Sequence, residues 1–199
     1  MSQGDAARGR VPAPASATPP AIVPEIAFHA GDGCPRALDR AALATALAAL
    51  LPHFPRAVAR VDALVVGDEA MDAAHRRHSG VAGTTDVLSF PAHDEGDPSA
   101  PVEVDLIVCA DFAAREAAAR GHSPDEELLL YAIHGTLHAS GMRDDTPESH
   151  AAIHAEEDRI LEAGGRRALY RREAGAADHG PPRNHLSDAP NAGASPHAD

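Results

Sequence analysis

The sequence contains no lysine and no tryptophan in 199 residues, so all 17 of its strongly basic side chains are arginine. Aromatic residues make up 3% of the chain, and any core must therefore be built mainly from aliphatic side chains and alanine. The two cysteines, Cys34 and Cys109, lie far apart with no C-x-x-C spacing. That excludes a disulfide framework and points to reduced thiols in a cytoplasmic protein. Long apolar runs are missing as well. The longest, LATALAALL, fits an amphipathic helix, and no stretch reads as a signal peptide or a membrane span, so no membrane association is expected. Positive charge is scarce: the formal net charge is -13. Such a balance argues against a broad electrostatic grip on nucleic acid and against DNA as a partner. It still allows a local cationic groove, or a metal that brings its own charge.

What is present is unevenly spread. Residues 1–20 are Ala, Pro, Gly and Ser with hardly any large apolar side chain, and residues 171–199 are similar. Neither segment can bury enough apolar surface to offset chain entropy, so both are expected to be disordered extensions. The folded part is then one domain over residues 21–170.

Within it, IVPEIAFHA (22–30) reads as an edge strand weakened by Pro24, and 36–51 as an amphipathic helix stopped by Pro52. A strand near 59–66 leads into a polar helix at about 68–78. TTDVLSFPA (84–92) and VEVDLIVCA (102–110) read as strands, and the loop between them is too short for a helix, so antiparallel pairing is expected. Three helices follow. The first ends at Gly121; the second has Ser123 as cap, Pro124 at its first position and Glu126 three after the cap; the third repeats this with Thr146, Pro147 and a stop at Gly164. The pattern predicts an α+β fold, with a small mixed sheet of about four strands covered by several helices.

The chemistry concentrates in HGTLHASGMRDD, beginning at His134. Residues four apart share a helix face, so His134 and His138 point the same way and form a bidentate claw for a borderline metal such as zinc. Gly141 can take the left-handed conformation that ends a helix and turns the chain back, which lets Asp144 return to the same ion. Three protein ligands leave one tetrahedral position open, as in catalytic rather than structural sites. The alternative, two exposed histidines beside an ordinary cap, leaves the agreement of four positions unexplained. A zinc peptidase of the HExxH type needs a glutamate directly after the first histidine as base, and Gly135 stands there. His150 and His154 form a second pair at the same spacing. Lacking a third partner nearby in sequence, they are expected to be exposed helix residues, and Cys109 a buried core thiol.

Taken together, HGTLHASGMRDD and Thr85-Asp86-Val87-Leu88-Ser89-Phe90-Pro91 resemble the YbeY family of metal-dependent bacterial endoribonucleases. Its pattern is HGxLHLxGxDH preceded by TDVLSFP, and the likeness covers about residues 58–163. The resemblance implies one zinc ion per chain held by His134, His138 and Asp144, single-stranded RNA as substrate, and a role in maturing the 3′ end of 16S ribosomal RNA and in ribosome quality control, with ribosomal RNA and the small ribosomal subunit as partners. The chain also departs from that pattern. Asp144 replaces the family's third histidine, and Met142-Arg143 a tyrosine-aspartate pair. An upstream asparagine and arginine fall on His75 and Ser79; Arg76 or Arg77 could stand in for the arginine. Candidate proton-transfer groups are His75 and Asp145. Thr85 and Asp86, at the polar start of their strand, could line an RNA groove or brace a metal-bound histidine. Two other functions fit parts of the sequence: a metallopeptidase of metzincin-like spacing, and a non-catalytic ribosome-associated protein whose metal only holds the fold.

Overall fold

The structure, a computed structural model, describes residues 23–170. The two expected extensions, 1–20 and 171–199, lie outside the described residues. The elements run β1 (Glu25–Ala30), α1 (Arg40–Leu50), a 3-10 turn (Leu51–His53), β2 (Val58–Val66), α2 (Asp68–Ser79), β3 (Val87–Pro91), β4 (Val102–Cys109), α3 (Ala110–Arg120), α4 (Pro124–Ala139) and α5 (Pro147–Ala163). The fold is α+β, a four-stranded mixed sheet with five helices. Strand order is β1-β2-β4-β3; β1, β2 and β4 are parallel, and β3 pairs antiparallel with β4, as the short connection requires.

Local chemistry sets the boundaries. α1 starts at Arg40 rather than at 36, because Asp39 caps it: its Oδ1 accepts from the Ala42 backbone N–H at 2.9 Å. Pro52 sits inside the 3-10 turn that finishes this helix. β3 begins only at Val87, because Asp86 Oδ1 accepts from the Thr85 hydroxyl at 3.0 Å and from the Val87 N–H at 2.8 Å, closing a polar turn before the strand. Both expected caps are present. The Ser123 hydroxyl accepts from the Glu126 N–H while Glu126 accepts from the Ser123 N–H at 2.9 Å, and Thr146 caps α5 with Ser149 as its reciprocal partner.

Strand alternation sends Val61, Ala63, Val65, Val87, Val104, Leu106 and Val108 into the main core, with Leu43, Leu47 and Leu50 of α1 and most of α4. The opposite face carries Val66, Leu88 and Cys109, which Met71 of α2 covers. Farther along that face, Arg60 lies among Asp62, Glu103 and Asp105, closest to Asp105 at 2.5 Å.

α4 is the centre of the molecule. Residues 127 to 137 are all buried, and it packs on β3, β4, α1, α3 and α5. A helix with apolar residues on most sides belongs in such a place, and its buried Glu127, His134 and Thr136 are each hydrogen-bonded. Gly135 is what lets it approach the sheet. A Cβ there would lie 2.7 Å from Leu106 Cδ2 and 2.8 Å from Ser89 Oγ, closer than real Cβ atoms come. No helix among the described residues is long and apolar enough to cross a membrane.

Candidate metal centre

His134 and His138, one turn apart near the end of α4, turn their Nε2 atoms toward each other at 2.9 Å, with ring planes at 83°. α4 then ends in a Schellman motif. The Gly141 N–H donates to the His138 carbonyl at 2.8 Å, the Met142 N–H donates to the Leu137 carbonyl at 3.1 Å, and Gly141 has φ +98°. This reversal brings Asp144 back, its Oδ2 3.8 Å from His134 Nε2 and 3.6 Å from His138 Nε2. The three side chains are 5% exposed or less.

Hydrogen bonds on the far side of each ring fix what the near side offers. His138 Nδ1 lies 2.9 Å from the Met142 carbonyl, which can only accept, so Nδ1 carries the proton. The Schellman turn that returns Asp144 thus also sets the tautomer of His138. His134 Nδ1 is hydrogen-bonded to Oε1 of Glu157 on α5. Glu157 is fully buried, which on its own would raise its pKa. The imidazoles of His134 and His154 outweigh that and hold the carboxyl below the usual range, ionised and accepting. With both Nδ1 atoms protonated, a neutral imidazole can present only a lone pair at Nε2. Two lone pairs and a carboxylate oxygen facing one another could hold a cation, with nitrogen and oxygen donors suited to a borderline ion. Ligand atoms on a tetrahedral zinc stand about 3.4 Å apart, and the three separations here bracket that value.

Sequence reasoning missed Glu157 and misplaced His154. The latter is 1% exposed, not on the surface, and its Nδ1 lies 2.7 Å from Glu157 Oε2. Glu157 stands twenty-three positions beyond His134, and no spacing rule relates two packed helices. A signal did exist. His154 and Glu157 share the inward stripe of α5 with Ile153, Ile160 and Leu161, where polar side chains need partners.

The other candidates scatter. His75 is buried on α2, its Nδ1 2.8 Å from the Gly83 carbonyl and its Nε2 without a hydrogen-bond partner. Arg76 is exposed and paired with Asp72 at 2.9 Å; Arg77 is exposed. Asp145 is exposed beside Arg143 at 3.2 Å, and that guanidinium keeps its carboxyl below the usual range. Thr85 and Asp86 are 7% and 1% exposed, and the Thr85 hydroxyl donates to Asp86 in the turn before β3. Cys109 is a buried thiol, pushed by burial to a pKa of about 12.

Against known proteins, the sequence model of the family described as Endoribonuclease YbeY matches residues 37–165. Among curated proteins, the Endoribonuclease YbeY of Deinococcus radiodurans is 41% identical over 103 residues, covering 51% of this chain and 66% of that protein. The Endoribonuclease YbeY of Mycobacterium tuberculosis is 38% identical over 112 residues, 52% of this chain and 63% of that one. The chain thus spans slightly under two thirds of the length of these relatives. The solution structure of TM1509 from Thermotoga maritima aligns with a TM-score of 0.42 at 17% identity, over 76% of this chain and 96% of that one.

Proposed function

The chain belongs to the family described as Endoribonuclease YbeY, and we propose that it is a zinc-dependent, single-strand-specific endoribonuclease acting on the 3′ end of 16S ribosomal RNA and in ribosome quality control in the cytoplasm. The observation that carries this reading is the convergence of His134 Nε2, His138 Nε2 and an Asp144 oxygen, with both imidazoles held in the ligating tautomer. These three residues would hold one zinc ion. Bound there, zinc supplies Lewis-acid polarisation of a phosphoryl oxygen and makes water more acidic. Glu157 and the Met142 carbonyl keep the two rings in place, and Asp144 offsets part of the ion's charge. His75 and Asp145 are the candidate proton-transfer groups. Arg76 and Arg77, exposed near the end of α2, are the candidate contacts for a phosphate backbone, together with Thr85 and Asp86 before β3.

The peptidase alternative meets a steric obstacle. The glutamate that such a site requires after the first histidine would have to occupy the place of Gly135, where even a methyl group collides with Leu106 and Ser89. A non-catalytic ribosome-associated protein is the second reading, favoured by Ser79 at the end of α2 where the resembled family carries an arginine.

The test is cleavage of a single-stranded RNA by full-length protein, with metal content measured on the same preparation. About one zinc is expected at the three-ligand site. His134→Ala should lower both that metal occupancy and the cleavage rate by at least a hundredfold. Cleavage that persists in His134→Ala would reject the catalytic assignment.

A further inference from the structure

His150 and His154 on α5 repeat the construction of the first clamp. Their rings stand 4.4 Å apart at 77°, against 4.5 Å and 83° for His134 and His138, and their Nε2 atoms face each other at 3.3 Å. His154 is oriented as His134 is, with Nδ1 on the Glu157 carboxylate and Nε2 turned outward to its neighbour. One carboxylate therefore serves both clamps: Oε1 takes His134, and Oε2 takes His154. The two rings lie nearly parallel, 5.7 Å apart at 20°, and Tyr170 stacks on the outer side of His154 at 4.0 Å.

We propose that His150 and His154 form a second cation site, a two-histidine clamp for a borderline first-row ion such as zinc, separate from the site at the end of α4. A proton on His150 Nε2 shared with His154 Nε2 would also explain the facing rings. An ion is favoured by the likeness of the ring geometry to that of the first clamp, and 3.3 Å is close to the bite of two imidazoles on tetrahedral zinc. Water would complete the coordination, since His150 is only partly buried and the inner ligand is braced. This goes beyond the proposed function, and it puts Glu157 in control of both sites.

That control has a distinctive consequence. A glutamine at 157 has one acceptor oxygen and one donor nitrogen. It can hold only one imidazole in the Nδ1–H form and must face the other with an N–H, which places that ring's proton on Nε2. Glu157→Gln should therefore lose one clamp, whereas a merely structural role for Glu157 would leave the stoichiometry alone.

The experiment is zinc titration of metal-stripped, untagged full-length protein by calorimetry, with folding followed by circular dichroism. Two equivalents are expected at the two clamps in the parent chain. His150→Ala, and His150→Gln as a size-conserving check, should each lose one equivalent, and so should His138→Ala. Because different equivalents are lost, the double variant His138→Ala/His150→Ala should lose both. If His150→Ala and His150→Gln bind as much zinc as the parent, the second site is overturned while the first stands. Loss in the His150 variants without loss in His138→Ala would leave this site intact and overturn the first.

Discussion

The two ends of α4 solve different problems. At its start, the capping box of Ser123 and Glu126 satisfies the helix from within four consecutive residues, and Arg167 adds an ion pair to Glu126 at 3.1 Å. At its finish, the imidazoles depend on a glycine turn, a carbonyl from that turn and a carboxylate on another helix. The first end is local apart from Arg167, partly exposed and concerned with folding. The second is assembled from distant pieces, buried and, on the proposed function, concerned with chemistry. Damage at the first should cost stability alone, while damage at the second should cost ion binding as well.

Three substitutions test that division. The largest effect is expected from Gly135→Ala, where the new methyl group meets Leu106 and Ser89. Forcing α4 away from the sheet should destabilise the fold by about 1–3 kcal/mol and weaken zinc binding, since the ligands ride on the displaced turn. Urea denaturation and zinc titration on one sample would check it, and unchanged values in both would break the picture. Next comes Gly141→Ala, whose φ of +98° an L-residue adopts at a cost of about 1–2 kcal/mol. Here the ion should be affected more than the fold, because relaxing the turn moves both Asp144 and the carbonyl that holds His138. A variant with weaker stability but unaltered zinc affinity would show that the turn does not set the ligands.

The smallest effect lies at the other end. The Ser123 N–H, helped by Arg167, holds the Glu126 carboxyl at a pKa of about 2, against its ordinary 4.5. A depressed folded-state pKa means that the stabilisation is fully present above the ordinary value and is lost as pH falls from about 4.5 toward 2. Glu126→Gln should be less stable than the parent by about 0.5–1 kcal/mol near neutrality, and the gap should close as pH approaches 2. Denaturation curves at pH 6 and pH 3 would measure this, with neutral-pH zinc stoichiometry unchanged. A gap that widens in acid would contradict the assignment.

The same contrast explains what could be read in advance. Caps, proline positions and apolar spacing act over four residues, so all five helices and the antiparallel pairing of β3 with β4 were visible in the sequence. His134, His138 and Asp144 could be picked out for the same reason: they lie within eleven residues and one turn links them. Boundaries slipped where a side chain competed with the backbone, as Asp39 does before α1 and Asp86 before β3. Glu157 and the burial of His154 escaped because they follow from how α5 packs on α4, which is a property of the folded chain.

The burial of α4 also limits where this protein can change. Every α4 residue from 127 to 137 is enclosed by neighbours, so a substitution there disturbs packing before it can adjust chemistry. The turn after it is different, with Gly141, Arg143 and Asp145 at the surface. It is in this turn that the chain carries Met142, Arg143 and Asp144 in place of the residues its pattern resembles. On the proposed function, the exposed positions of this turn are where the surroundings of the ion can vary, while the two imidazoles stay as fixed points.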